Sequence, residues 1–150
     1  MPDFPSVEWL SRRIVESTGD AVLYAGRDGR IRYWNGGAEA IFGWTSAEAV
    51  GQSMDLIVPD RLRARHWAGW EKSMATGVTR YSGQDLLAVP AQRKDGQPLS
   101  IEFTIQLIRD DAGELVGAAA VVRDVTARWS RDRDLRRRLK ELEAQLARRS

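Results

Sequence analysis

The sequence has no cysteine and a single histidine. Without thiols there can be no disulfide staple, no thiolate metal site and no cysteinyl cofactor adduct. With one imidazole, an all-protein zinc cage of the usual kind cannot be assembled. Long apolar runs are missing too: nothing approaches the roughly 20 residues of a membrane span. The opening "MPDFPSVEW" lacks a basic region followed by an apolar one, so no secretory signal is expected. These absences point to a cytoplasmic protein with no membrane partner. An excess of one charge is also lacking, since 23 Lys and Arg face 21 Asp and Glu for a net +2. The surplus arginine lies mostly after Arg123, so nucleic acid is not an expected partner.

What is present suits one fold and one pocket, because 150 residues can bury a real core but are too few for two. Three glycine turns separate apolar, β-rich runs. "AVLYAGRDGRIRYW" reads as two short strands joined through Asp28-Gly29. "LLAVPAQRKDGQPLSIEFTIQLI" repeats the device at Asp95-Gly96, and "IRDDAGELVGAAAVVRDV" does so at Ala112-Gly113. The expectation is about five strands, the last three forming an antiparallel meander. Leu99, Ile101, Phe103, Ile105 and Leu107 alternate with Ser100, Glu102, Thr104 and Gln106, the period of a half-buried strand. One face of the sheet must therefore be covered.

The cover lies between the second and third strands. Asn35 is placed to cap a short helical turn in "GGAEAIFGW", and Thr45 with Glu48 has capping-box spacing ahead of "TSAEAV". Asp60, after Pro59, opens a longer helix that runs to about Ala75 before Gly77 stops it. Two strands, a helical excursion and three strands make an α+β domain, an antiparallel sheet with its helices gathered on one face. The long helix becomes the wall of whatever cavity the sheet leaves.

"GDAVLYAGRDGRIRYWNGGAEAIFGWTSAEAVGQSMDLIVPD", followed by "MATG", "RKDG" and "RDVTAR", resembles the PAS sensor domain family over roughly residues 12 to 128. The resemblance implies a five-stranded antiparallel sheet with helices packed on one face and a cleft that holds a small molecule, a cofactor or nothing. It also implies a sensory role, with the result passed to an attached kinase, cyclase or regulator. "PDRLRARHWAGWEKSMATG…QRKDG" is similar to the stretch that carries the proximal histidine in haem-binding PAS domains of oxygen-sensing histidine kinases. That likeness would make His66 the axial ligand of haem b. An imidazole on a helix wall suits iron, and a planar macrocycle needs apolar walls. Leu62, His66, Trp70 and Ser73 share one helical stripe, spaced four, four and three. The expected cofactor-binding set is His66, Leu62, Trp70, Leu87, Phe103 and Ile105, with His66 the metal ligand.

The sequence departs from those oxygen sensors at one position that bears on function. Their distal arginine, which bonds bound oxygen, is replaced by Leu87. With Phe103 and Ile105 opposite, the far wall would be wholly apolar, which suits carbon monoxide, nitric oxide or redox sensing. The open alternative is a structural His66 beside a pocket that is empty or holds another small molecule, in a cofactor-free dimerisation or interaction module. An enzyme is not expected, since no nucleophile elbow, metal motif or orienting acid accompanies His66.

The remaining features take plain readings. Trp34 and Trp44 bracket the short helices as core residues. "GAAAVV", Gly117 to Val122, reads as a strand kept slim, either so that a ligand fits beside it or, the plainer reading, because the N-terminal helix crosses it closely. That helix is "VEWLSRRIVES", with Trp9, Leu10, Ile14 and Val15 along one side. Near the other end Leu135, Leu139, Leu142 and Leu146 make a short a/d seam. The expected division is a flanking helix over 1–18, the PAS domain over 19–126 and a signalling coiled-coil helix over 127–150. The expected assembly is a homodimer that reports to a C-terminal effector domain of a parent protein.

Overall fold

The computed structural model describes residues 3–79 and 87–149; at Leu87 it describes the backbone but not the side chain. The five strands are β1 (Ala21–Gly26), β2 (Ile31–Trp34), β3 (Leu87–Gln92), β4 (Pro98–Arg109) and β5 (Leu115–Asp124). They form one antiparallel sheet in the order β2-β1-β5-β4-β3. Each expected hairpin is present, and β3-β4-β5 is the expected meander. β3 carries Pro90, which cannot donate to a ladder, and it accordingly occupies an edge of the sheet.

The helices are α1 (Val7–Ser17), α2 (Gly36–Phe42), α3 (Ser46–Ala49), α4 (Asp60–Thr76) and α5 (Thr126–Arg149), with a 3-10 turn at Met54–Leu56. Their starts follow local chemistry. The Asn35 side chain accepts from Ala38 N at the head of α2, and Thr45 and Glu48 close a full capping box at α3. α4 begins after Pro59 and ends at Gly77, whose φ of 69° lies in the left-handed region.

One core sits between the sheet and the helices from α2 to α4. Ala21, Leu23, Ile31, Phe42, Leu99, Ile101 and Val122 are buried in it, and the Trp34 and Phe42 rings meet at 5.4 Å. Trp34 Nε1 donates to Trp44 O at 2.9 Å, so both tryptophans pack as the sequence suggests. The alternation in β4 is uneven in depth. Leu99 and Ile101 are buried, whereas Phe103, Ile105 and Leu107 are only half-buried where α4 covers the sheet. A smaller cluster of Met74, Leu115 and Ala118, joined by Trp70, Ile105 and Leu107, lies under the end of α4.

The reading of "GAAAVV" needs correction. What crowds Gly117 is the neighbouring strand β1, not the N-terminal helix: a Cβ there would lie 2.1 Å from Ala25 O and 2.7 Å from Tyr24 Oη. α1 buries none of its residues.

Candidate functional site

His66 lies on the side of α4 turned toward the sheet, half-buried with Leu62, Trp67, Trp70 and Ser73. Its ring meets Trp67 edge-on at 4.7 Å and is inclined 30° to that of Trp70 at 6.4 Å. Both indoles are anchored. Trp67 Nε1 donates to Asp55 Oδ1 at 2.8 Å, and Trp70 Nε1 donates to Arg27 O at 3.1 Å. The Arg27 guanidinium in turn donates to Leu115 O at 3.1 Å and to Met74 O at 3.3 Å, fastening the end of α4 to β5. Trp67 rests so closely on the β1–β2 turn that a Cβ on Gly29 would lie 2.3 Å from its ring. Gly29 is therefore required twice, for its φ of 75° and for the space above it.

His66 Nδ1 is buried without a hydrogen-bond partner among the described residues. Burial pushes its imidazole below the usual histidine value, while the Asp55 carboxylate pulls the other way. Burial thus favours the neutral ring, with a nitrogen lone pair or N–H that no described residue satisfies. A pH dependence follows. Because the native state resists the proton that the unfolded chain accepts, His66 supports stability fully above about pH 6.5, and that support is lost as pH falls below it. Since this is the chain's one histidine, no other side chain ordinarily titrates in that range. Between about pH 7.5 and 5.5 the Tm should fall further in the parent than in His66→Phe. Equal falls would show that the imidazole is not held neutral.

The expected site residues are brought together only in part. Trp70 packs against both clusters, Phe103 against the main core and Ile105 against the smaller one. Leu62 is half-buried one turn before His66 but belongs to neither cluster. Leu87 pairs with Phe103 in the β3–β4 register, and its side chain lies outside the described residues. Three contributors escaped the sequence reading: Trp67, Asp55 and Arg27. Trp67 is visible only if the buried side of α4 is read wider than a single stripe. Asp55 and Arg27 arrive from distant turns with no local signal.

Two shallow, open clefts border this site and share Arg27 and Asp55 with it. One, of about 470 Å³, runs along Tyr24, Arg27, Arg32 and Val116; the other, of about 300 Å³, lies between Trp44, Asp55, Arg63 and Gln92.

Comparison with known proteins adds the following. Residues 15–129 match the family described as "PAS fold". An uncharacterized protein of Azorhizobium caulinodans is 34% identical over 131 residues, covering 87% of this chain and 17% of that protein. "Sensor protein FixL" of Bradyrhizobium diazoefficiens is 27% identical over 135 residues, covering 90% of this chain and 25% of that protein. The chain thus spans a quarter or less of the length of these two relatives. The crystal structure of a PAS domain from Colwellia psychrerythraea superposes with a TM-score of 0.70 at 20% identity, over 81% of this chain and 99% of that one. At that identity the likeness speaks for the fold alone.

Proposed function

The chain belongs to the PAS fold family, and on that premise we propose that it is a sensing domain whose signal enters beside His66 and whose ligand is haem b. PAS domains are sensory modules of signalling proteins, and a relative of this chain is the sensor protein FixL. The observation that carries the reading is the buried, unpartnered Nδ1 of a neutral imidazole on the wall facing the sheet. Neutral imidazole is the form that binds iron, so the donor fits. Trp70 packs against both core clusters, Phe103 against the larger and Ile105 against the smaller, with Leu62 a turn before His66 on α4 and Leu87 paired with Phe103 on β3. Haem would supply an iron able to bind a diatomic gas or change oxidation state. The protein's part is to hold the imidazole, shield it from water and present no hydrogen-bond donor from Phe103 or Ile105.

One observation favours a second reading. Metal-bound histidines nearly always donate their other ring N–H to a partner, and the described residues provide His66 with none. Trp67 and Trp70, both tied by hydrogen bonds and 6.0 Å from each other, already crowd one flank of the ring. On this reading the domain is a cofactor-free interaction module, or it senses a smaller ligand, and His66 is a packing residue.

The two readings separate in one experiment. Protein expressed with haem precursor should show a Soret band, and His66→Ala should remove most of it while the circular dichroism of the fold is kept, because an unpaired helix position tolerates alanine. An unchanged Soret band in the variant, or a colourless parent that stays colourless on haem titration, would sink the haem reading.

We further propose residues 19–126 as the sensing unit, with residues 1–18 and 127–150 as flanking helices of a homodimer. Trp9, Leu10 and Ile14 on α1 are exposed, as are Leu135, Leu139, Leu142 and Leu146 on α5, and a second copy would cover both rows. The lengths of the two relatives support an effector domain in the parent protein, whose activity is read here as signalling and not catalysis by this chain. Among the described residues no helix is long and apolar enough to cross a membrane, in keeping with a cytoplasmic sensor.

A further inference from the structure

The end of α4 that follows His66 is held by side chains from elsewhere in the chain. The last carbonyls of a helix have no partner within it, and the negative end of the helix dipole attracts cations. α4 has no basic residue of its own in its last turn. Two arginines from the sheet supply what it lacks.

Arg27, in the β1–β2 turn, donates to Met74 O at 3.3 Å through one terminal nitrogen and to Leu115 O at 3.1 Å through the other. Its own carbonyl accepts from Trp70 Nε1 at 3.1 Å, one turn before Met74. Arg109, the last residue of β4, donates to Gly77 O at 3.3 Å and to Gly113 O at 3.0 Å. A Cβ on Gly77 would stand 2.6 Å from an Arg109 nitrogen, so the glycine that ends α4 also makes room for the guanidinium. Each guanidinium thus spans the same gap, from a carbonyl at the end of α4 to a carbonyl of the β4–β5 hairpin. The hairpin turn they grip is firm, because Asp110 Oδ1 accepts from Ala112 N at 3.0 Å and from Glu114 N at 2.9 Å.

Packing holds this end of α4 less securely than the bonds do. Met74 is the one buried residue of the helix, and it rests on a small cluster with Leu115 and Ala118. Both arginines are exposed, so their bonds can be exchanged for bonds to water without leaving a charge buried. Opening them would free the end of α4 from β5, which runs directly to α5.

We propose that Arg27 and Arg109 are positioning residues, a two-point clamp that sets α4 against the β4–β5 hairpin and passes a displacement of α4 to β5 and so to α5. The clamp rests on the reading that the signal enters beside His66, but it does not require that the ligand be haem.

The chain without haem is compared by amide NMR with its His66→Ala variant, in which the substitution serves as the disturbance of α4. The signals of Val116, beside the clamp, and of Thr126, at the head of α5, should both shift. In a background carrying Arg27→Lys and Arg109→Lys, the Thr126 shift should fall by about half or more. An ammonium keeps positive charge at the helix end but lacks the guanidinium fork that spans two carbonyls. The Gly29 amide, which lies under the Trp67 ring, should respond alike in both backgrounds, a result that a merely stabilising role would not give. Should the double variant fail to fold, Arg109→Lys alone, at the exposed end of β4, takes its place with the same expectation. The proposal is overturned if His66→Ala leaves Thr126 unmoved, if its shift is as large with lysine as with arginine, or if the Gly29 and Thr126 responses fall together. A colourless protein would sink the haem reading and leave each of these outcomes as decisive as before.

Discussion

Asn35→Ala should lower the unfolding free energy by about 4 kcal/mol, far beyond the roughly 1 kcal/mol of a lost helix cap. The reason is that capping is only one of four bonds. The side chain is 3% exposed; its Oδ1 accepts from Ala38 N at 2.9 Å and from Val22 N at 2.8 Å. Its Nδ2 donates to Val15 O at 2.7 Å and to Asp20 O at 3.0 Å. One amide thus ties the end of α1, the entry to β1 and the head of α2. Alanine would leave two N–H and two C=O groups to find water, each costing about 1 to 3 kcal/mol when it cannot. Asn35→Asp keeps an acceptor but sets a carboxylate oxygen against the Val15 and Asp20 carbonyls, so at neutral pH it should cost at least as much as alanine. Urea unfolding followed by circular dichroism measures both. Because Val15 is bound directly, α1 should also loosen, and trypsin should cut after Arg12 and Arg13 faster in the alanine variant. A loss below about 1 kcal/mol, equal to the cap alone, would show that the other three bonds contribute nothing net.

That residue also marks where sequence reading stops. Asn35 as a cap was legible because the cap bond spans only three residues. Its bonds to Val15, Asp20 and Val22 were not, because they join elements whose approach the local pattern does not encode. The same division runs through the molecule. The strands around Asp28-Gly29, Asp95-Gly96 and Ala112-Gly113 could be read because turn chemistry and period-two alternation are local. The reach of α4 could be read from Pro59 and Gly77. In the candidate site, the stripe of Leu62, His66 and Trp70 follows from helical spacing. Asp55, which holds Trp67, and Arg27, which holds Trp70 and Met74, come from other turns and leave no trace in the helix's own sequence.

The reading of Gly117 failed for a related reason, and it yields the second large effect. A run of small residues says that something approaches closely but not what. Here the approach comes from within the sheet: Tyr24 Oη donates to Val116 O at 2.9 Å, which brings the ring across Gly117. The glycine is not among those with positive φ, so space is the requirement and not backbone freedom. Gly117→Ala should destabilise the domain by about 3 kcal/mol, the upper end of the usual overpacking cost. A contact of 2.1 Å to the Ala25 carbonyl cannot be relieved by turning a side chain, so β1 and β5 must part. Adding Tyr24→Phe removes the 2.7 Å clash with the hydroxyl but not the one with the carbonyl, and should recover only a minor share. Ala119, two residues on and half-buried, is the control: Ala119→Val should cost less than about 1 kcal/mol. Since β5 pairs with both β1 and β4 and runs directly into α5, parting it from β1 should also disturb the helix that leaves the sheet. Hydrogen exchange at Ala25 and Ala118, register partners across β1 and β5, would report the opening of that ladder. If Gly117→Ala unfolds within about 0.5 kcal/mol of the parent, the strands have room that the register does not show, and the small residues of β5 need another explanation.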